Sequence, residues 1–173
     1  DGGTISGNQF TFNQFDGLQG GIQNTTIDHN TFDRNGRHGL ALTGFSGSVS
    51  GDSTRGAKND LVTENCFTNN GLTQSGAGVS FSAFQFPGTI STNHVNNNSF
   101  GGNFRGAIYN APGSETIDCE NNFWGSPSGP NSPPQNPGGT GDQVDTPNGS
   151  GGLIDLIPFS PTTALQCPCT PAS

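Results

Sequence analysis

A parallel β-helix of about five coils, all-β and ending in an irregular Pro/Gly-rich tail, is the fold that three features of this 173-residue sequence predict. The first is a recurring Asn-x-Phe: Asn8-Gln9-Phe10, Asn30-Thr31-Phe32, Asn65-Cys66-Phe67, Asn98-Ser99-Phe100 and Asn121-Asn122-Phe123, at intervals of 22, 35, 33 and 23 residues. The second is a further Asn three positions after the Phe in the first four copies, at Asn13, Asn35, Asn70 and Asn103. The third is a β-branched residue three positions before the Asn, namely Ile5, Ile27, Val62 and Val95. Residues two apart on an extended chain share a face, so the Asn and Phe of each copy point the same way. A unit this short cannot bury its own Phe and has to stack on its neighbours, which is the logic of a solenoid. Stacked Asn side chains satisfy one another and the turn backbone from coil to coil. The expected inner ladder is Asn8, Phe10, Asn30, Phe32, Asn65, Phe67, Asn98, Phe100, Asn121 and Phe123, with Trp124 plugging its lower end.

Taken in order, residues 1–20 hold the first copy, followed by Phe12, Phe15 and the turn signal Asp16-Gly17. Residues 21–42 form the cleanest coil and collect Asp28, His29, Asp33, Arg34, Arg37 and His38 within eleven residues. Such a set reads in two ways. Asp28, Asp33, Arg37 and His38 are the candidates for acid/base chemistry or cation binding, as cleavage of a polysaccharide requires; alternatively these are the solvated outward positions of one coil. Gly/Ser-rich residues 43–58 read as an inserted loop, and the coil resumes at Asp60-Leu61-Val62. Phe84 and Phe86 alternate with polar residues, either padding the stack or offering an exposed ridge. The fourth and fifth copies follow, and dense Pro after Ser126 argues that strand ladders stop near Trp124. Residues 1–126 are thus expected to be the coils, and 127–173 a cap and tail containing Cys167-Pro168-Cys169.

Composition narrows the function. Gly 28 and Pro 12 would suit a disordered chain, but disorder gives no reason to space Asn and Phe in register. Thirteen acids against five bases give a net charge of -8, which disfavours nucleic acid, since nothing neutralises phosphate. No apolar run is long enough to insert in a membrane. Four Cys in a Lys-poor, Gly/Asn-rich chain suit a secreted or cell-surface setting with disulfides.

The units resemble the right-handed parallel β-helix repeats of the pectate-lyase-like superfamily, and the C-terminal block is similar to the closing segment of many bacterial surface proteins of that kind. The residues carrying the likeness are Asn121-Asn122-Phe123-Trp124-Gly125, Gly129-Pro130, Asn136-Pro137-Gly138-Gly139-Thr140-Gly141-Asp142 and Ile154-Asp155-Leu156-Ile157-Pro158-Phe159. The chain departs from it at Phe123 and Phe159, where Trp is usual, and in a Gly-rich insertion near 143–152. The resemblance implies the fold and says little of activity, because the superfamily holds lyases, hydrolases, epimerases and non-catalytic adhesins and stalks. Arg37-His38-Gly39 only partly echoes the catalytic signatures of its hydrolases, and Asp28 with Asp118 is the carboxyl pair that inverting hydrolysis would need across a groove.

Coils stack at about 4.8 Å, so Cys66 and Cys119, with the Phe100 coil between them, lie roughly 10 Å apart, beyond disulfide reach. The tail is therefore expected to run back along the solenoid and pin Cys167 and Cys169 to Cys66 and Cys119, in an order the sequence leaves open. No cofactor is expected; Asp142 and Asp145 in the Gly-rich loop are the carboxylates available to Ca²⁺. The leading expectation is a non-catalytic extracellular structural or adhesive module, a filament or surface-layer subunit assembling head to tail with other copies or flanking domains. The alternative is a polysaccharide-processing enzyme or carbohydrate-binding fragment.

Overall fold

The computed structural model of the chain describes residues 2–44, 56–83, 90–110, 115–133, 135–145, 153–163 and 165–167. Most of the 43–58 insertion, Phe84, Phe86 and Cys169 lie outside the described residues. Among the described residues there are fifteen short strands, in repeating sets of three. They are β1 (Gly3–Ser6), β2 (Gln9–Thr11), β3 (Leu18–Gly20), β4 (Thr25–Asp28), β5 (Thr31–Asp33), β6 (Leu40–Gly44), β7 (Leu61–Thr63) and β8 (Cys66–Thr68). There follow β9 (Val79–Ala83), β10 (His94–Asn96), β11 (Ser99–Gly101), β12 (Ala107–Asn110), β13 (Thr116–Asp118), β14 (Val144–Asp145) and β15 (Leu153–Asp155). Every strand pairs in parallel with its counterpart one coil away, giving sheets ordered β1-β4-β7-β10-β13-β15, β2-β5-β8-β11 and β3-β6-β9-β12-β14. This is the parallel β-helix that the repeat predicts.

The aromatic column forms. Phe10, Phe32, Phe67 and Phe100 stack face to face at 4.9, 4.8 and 4.9 Å, and Trp124 follows Phe100 at 4.3 Å. These separations match the spacing of adjacent strands, so the rings repeat because the backbone does. Beside them run two ladders of Asn. In the first, each amide N–H and Nδ2 donates to Oδ1 of the next, as from Asn30 to Asn65 at 2.9 and 3.0 Å, and Nδ2 also reaches a backbone carbonyl one coil up, as Asn65 to Ile27 at 2.8 Å. The second runs Asn13, Asn35, Asn70, Asn103 with the same bonds. Immediately before a ladder residue the backbone turns left-handed, at Gly7, His29, Glu64, Asn97 and Asn121 for the first ladder and Phe12, Arg34, Asn69 and Gly102 for the second. The left-handed residue makes the corner and the Asn after it fills the corner.

In the fifth copy the register corrects the expectation. Asn98 donates to Asn122 at 2.8 and 3.1 Å, Asn121 takes the left-handed corner, and Trp124 rather than Phe123 joins the ring column. Pairing of His94 with Asp118 sets this shift and puts Cys119, not Ile117, in line with Val95. Cys119 is fully buried there and free, so the expected disulfide at Cys119 does not form: its side chain serves as a small apolar member of the column. Cys66 does join the tail, through Cys167, with a Cα–Cα distance of 5.6 Å.

Strands also continue past Trp124. β14 pairs with β12 and β15 with β13, because the Pro-rich segment loops out and returns rather than lying in the ladder. The glycines of this closing segment are placed by contact: a Cβ on Gly141 would stand 2.2 Å from the Trp124 carbonyl oxygen, and one on Gly139 1.8 Å from that of Pro130. Asp142 then ends the second ladder, accepting from Asn103 Nδ2 at 2.7 Å and from its N–H at 3.2 Å.

Candidate functional site

The corner after Asn35 aims two of the candidate side chains at one face. Here the backbones of neighbouring coils nearly touch: a Cβ on Gly76 would lie 1.7 Å from the Arg37 carbonyl oxygen, and one on Gly39 2.7 Å from that of Gly78. That close approach fixes Arg37 and His38 at the entry of β6. Arg37 is clasped by Asp16 one coil above, donating Nε to Oδ1 at 2.8 Å and Nη2 to Oδ2, while the His38 N–H donates to the same carboxylate at 3.1 Å. This hydrogen-bonded charge raises the Arg37 pKa. His38 Nδ1 accepts the Ala77 N–H at 3.0 Å, so in the neutral ring the proton sits on Nε2. Burial, with Arg37 adding to it and Asp16 opposing, lowers the His38 pKa to about 4.

Beyond these two residues the outer face of the β3-β6-β9-β12 sheet forms a shallow groove of about 280 Å³, lined by Gln19, Arg37, His38, Ala41, Ser80, Ser82 and Asn110. The register sets Gln19, Ala41 and Ser80 side by side on successive strands, and Ser82 beside Asn110. The floor is therefore made of small residues. Ser80 is fully buried and its Oγ has no hydrogen-bond partner. Among the described residues no carboxylate lines the groove, the Asp16 side chain being sealed behind Arg37.

The other candidates go elsewhere. Asp28 lies on the first sheet, bonded through Oδ2 to His29 Nδ1 at 3.0 Å, and His29 Nε2 reaches Glu64 at 2.9 Å. The His29 hydrogen bond holds the Asp28 carboxyl below its usual range. Asp33 lies on the second sheet and accepts from Thr68 Oγ1 at 2.7 Å, Asn69 Nδ2 at 3.1 Å and Arg34 at 2.5 Å. Asp28, Asp33 and the Arg37–His38 pair thus occupy three different faces of one coil. The period of an extended strand cannot reveal this, because the corners between strands rotate the face. Asp28 and Asp118 share the first sheet, but β7 and β10 lie between their strands, a span of about 14 Å at the usual strand spacing. Asp118 is engaged instead with His94 at 2.8 Å and Asn96 at 3.0 Å.

For the cation candidates, Asp142 is committed to the Asn103 ladder, where burial raises its pKa, and Asp145 is paired with Arg105. Among the described residues no group of three or more His, Cys, Asp or Glu is placed to hold a metal ion, and no helix is long and apolar enough to cross a membrane.

Gln19, Ser80, Ser82 and Asn110, which line the groove, and Asp16, which clasps Arg37 behind it, are residues that the sequence did not offer as site candidates. One signal for Asp16 was available: it precedes His38 by 22 residues, the same step that separates Asn8 from Asn30. Compared with family models, curated proteins and solved structures, the chain matches none.

Proposed function

We propose that this chain is a non-catalytic extracellular module, a stiff β-helical rod used for structure or adhesion. The observation carrying the proposal is the pairing of its ionisable groups. Asp16 with Arg37, Asp28 with His29, Asp33 with Arg34 and Asp145 with Arg105 each bind a neighbour, on different faces, so among the described residues these pairs bring no acid and base onto a common reacting atom. A disulfide tying the tail to a middle coil suits an oxidising, extracellular setting. The closing segment, with Gly129, Gly139, Gly141 and Asp142 all committed to contacts, supports grouping the chain with pectate-lyase-like β-helices. Strands β1, β2 and β3 stand at the edges of their sheets, where a further coil from flanking sequence or a second copy can add. The test is release of reducing or unsaturated sugars from a polysaccharide panel, together with negative-stain imaging. Absence of release with end-to-end particles supports the reading, and turnover abolished by His38→Ala overturns it.

The groove favours a second reading, in which a saccharide is held without being cut. Its lining of hydroxyls, amides, one guanidinium and an imidazole suits a hydroxyl-rich ligand. Titration calorimetry with neutral and uronic oligosaccharides tests it, with Ser82→Trp filling the groove as the control.

A further inference from the structure

A third ladder, invisible in the Asn-x-Phe pattern, stands at the corner that precedes the first sheet. Asn24, Asn59 and Thr92 turn left-handed, and the residues after them are Thr25, Asp60 and Asn93, all buried. The Thr25 N–H donates to Asp60 Oδ1 at 3.0 Å, and the Asp60 N–H to Asn93 Oδ1 at 3.0 Å. Asn93 completes the pattern with Nδ2, which donates to the Ala57 carbonyl at 2.9 Å, the carbonyl that also accepts the Ser91 N–H at 3.2 Å. One coil up, the carbonyl corresponding to Ala57 is that of Ile22, which accepts the Lys58 N–H at 3.1 Å. By equivalence with Asn93, the position of that Nδ2 is taken on this coil by Asp60 Oδ2, an oxygen that is buried with no partner. Two lone pairs would oppose each other there if the carboxyl were ionised. A proton on Oδ2 turns the same geometry into a hydrogen bond.

We propose that Asp60 carries a proton in the folded protein and acts as a surrogate asparagine, donating from Oδ2 to the Ile22 carbonyl, so that the corner leading into β7 loosens as that proton leaves. Lys58, at the end of the 43–58 insertion, bridges Gln23 and Ser91 as the chain enters this corner, which makes it a pH-sensitive joint. The charged groups on the packed elements are Asp28 on β4, Lys58 and Glu64 on the Asp60 coil, and His94 beside Asn93. Asp28 and Glu64 are engaged with His29, and His94 with Asp118. Burial raises the Asp60 pKa to about 6, against the smaller pull of the Thr25 and Lys58 amides. Because the folded value lies above the unfolded one, the stabilisation is complete below about pH 4 and is lost as pH rises through about 6.

Hydrogen exchange in the whole protein at pH 5 and pH 7.5, corrected for intrinsic exchange rates, reads the joint directly at the Thr25 and Asp60 amides. Protection in the wild type relative to Asp60→Asn should fall about tenfold over this range, the comparison cancelling the opposite slope of His38. A ratio of the two proteins that does not change with pH overturns the proposal. The thermal midpoint of Asp60→Asn should exceed that of the wild type at pH 7.5 and equal it at pH 4; an equal midpoint at both also overturns it. Infrared spectra give an answer independent of stability. A protonated-carboxyl band at pH 5 that is missing from Asp60→Asn supports the assignment, and the same spectrum in both proteins refutes it.

Discussion

Cys66 and Cys167, 101 residues apart in sequence, are joined by a disulfide that ties the C-terminal tail to β8 in the middle of the stack. Between Ser160, whose N–H donates to the Asn122 carbonyl at 2.9 Å, and Cys167, the hydroxyl bonds of the tail are local turns, such as Thr163 Oγ1 to the Leu165 carbonyl. The crosslink is therefore the main anchor of that stretch. Cys167→Ser should lower stability by about 2–4 kcal/mol, and proteolysis should then trim the tail while leaving the coils. Cys119→Ser should leave the crosslink in place. Denaturant melts and a non-reducing peptide map check both.

Ring stacking is the next quantity to test. Phe67 is completely buried and stacks on Phe32 and on Phe100, so Phe67→Ala opens a cavity that rigid coils on both sides cannot close. The expected cost is about 3–5 kcal/mol by chemical denaturation, at the upper end for core truncations. A loss under about 1 kcal/mol would mean that the column does not carry the fold.

Asn121 and Asn122 should respond differently, although they are adjacent and identical. Asn122→Ala removes the acceptor used by the Asn98 N–H and Nδ2 and leaves buried groups unpaired, at about 1–3 kcal/mol for each. Asn121 only has to adopt a φ of 57°, which glycine does freely, so Asn121→Gly should be nearly neutral. Thermal melts of the two variants decide the register.

His38 should impose a pH dependence opposite in sign to that of Asp60. Its folded pKa, about 4, lies below the ordinary 6.5, so its contribution is present above about pH 6.5 and is lost as pH falls toward 4. His38→Asn keeps an acceptor for the Ala77 N–H without the titration, and its stability relative to the wild type should rise on going from pH 7 to pH 5. The two slopes oppose each other, so the wild-type profile alone is flatter than either variant difference. Urea melts at several pH values for each variant separate them.

The sequence reading reached the fold because Asn, Phe and β-branched residues recur at positions that a coil repeats, and their burial leaves little freedom. It failed at the fifth copy for a local reason: Asn121 and Asn122 are chemically alike, and only the hydrogen bond from Asn98 shows which faces inward. The third ladder escaped because Thr25, Asp60 and Asn93 share a geometry and not a residue type. The groove escaped because its floor, Ala41 and Ser80, is built of residues that carry no signal alone.

By itself the sequence determined that the chain stacks, since short units bearing buried rings and amides stay dry only in a column. Which outward residues share a face was decided by tertiary structure, because each left-handed corner redirects the chain by an amount that no linear spacing encodes. That rotation separates Asp28, Asp33 and His38, neighbours in sequence, and brings together Asp16 with Arg37 and Cys66 with Cys167.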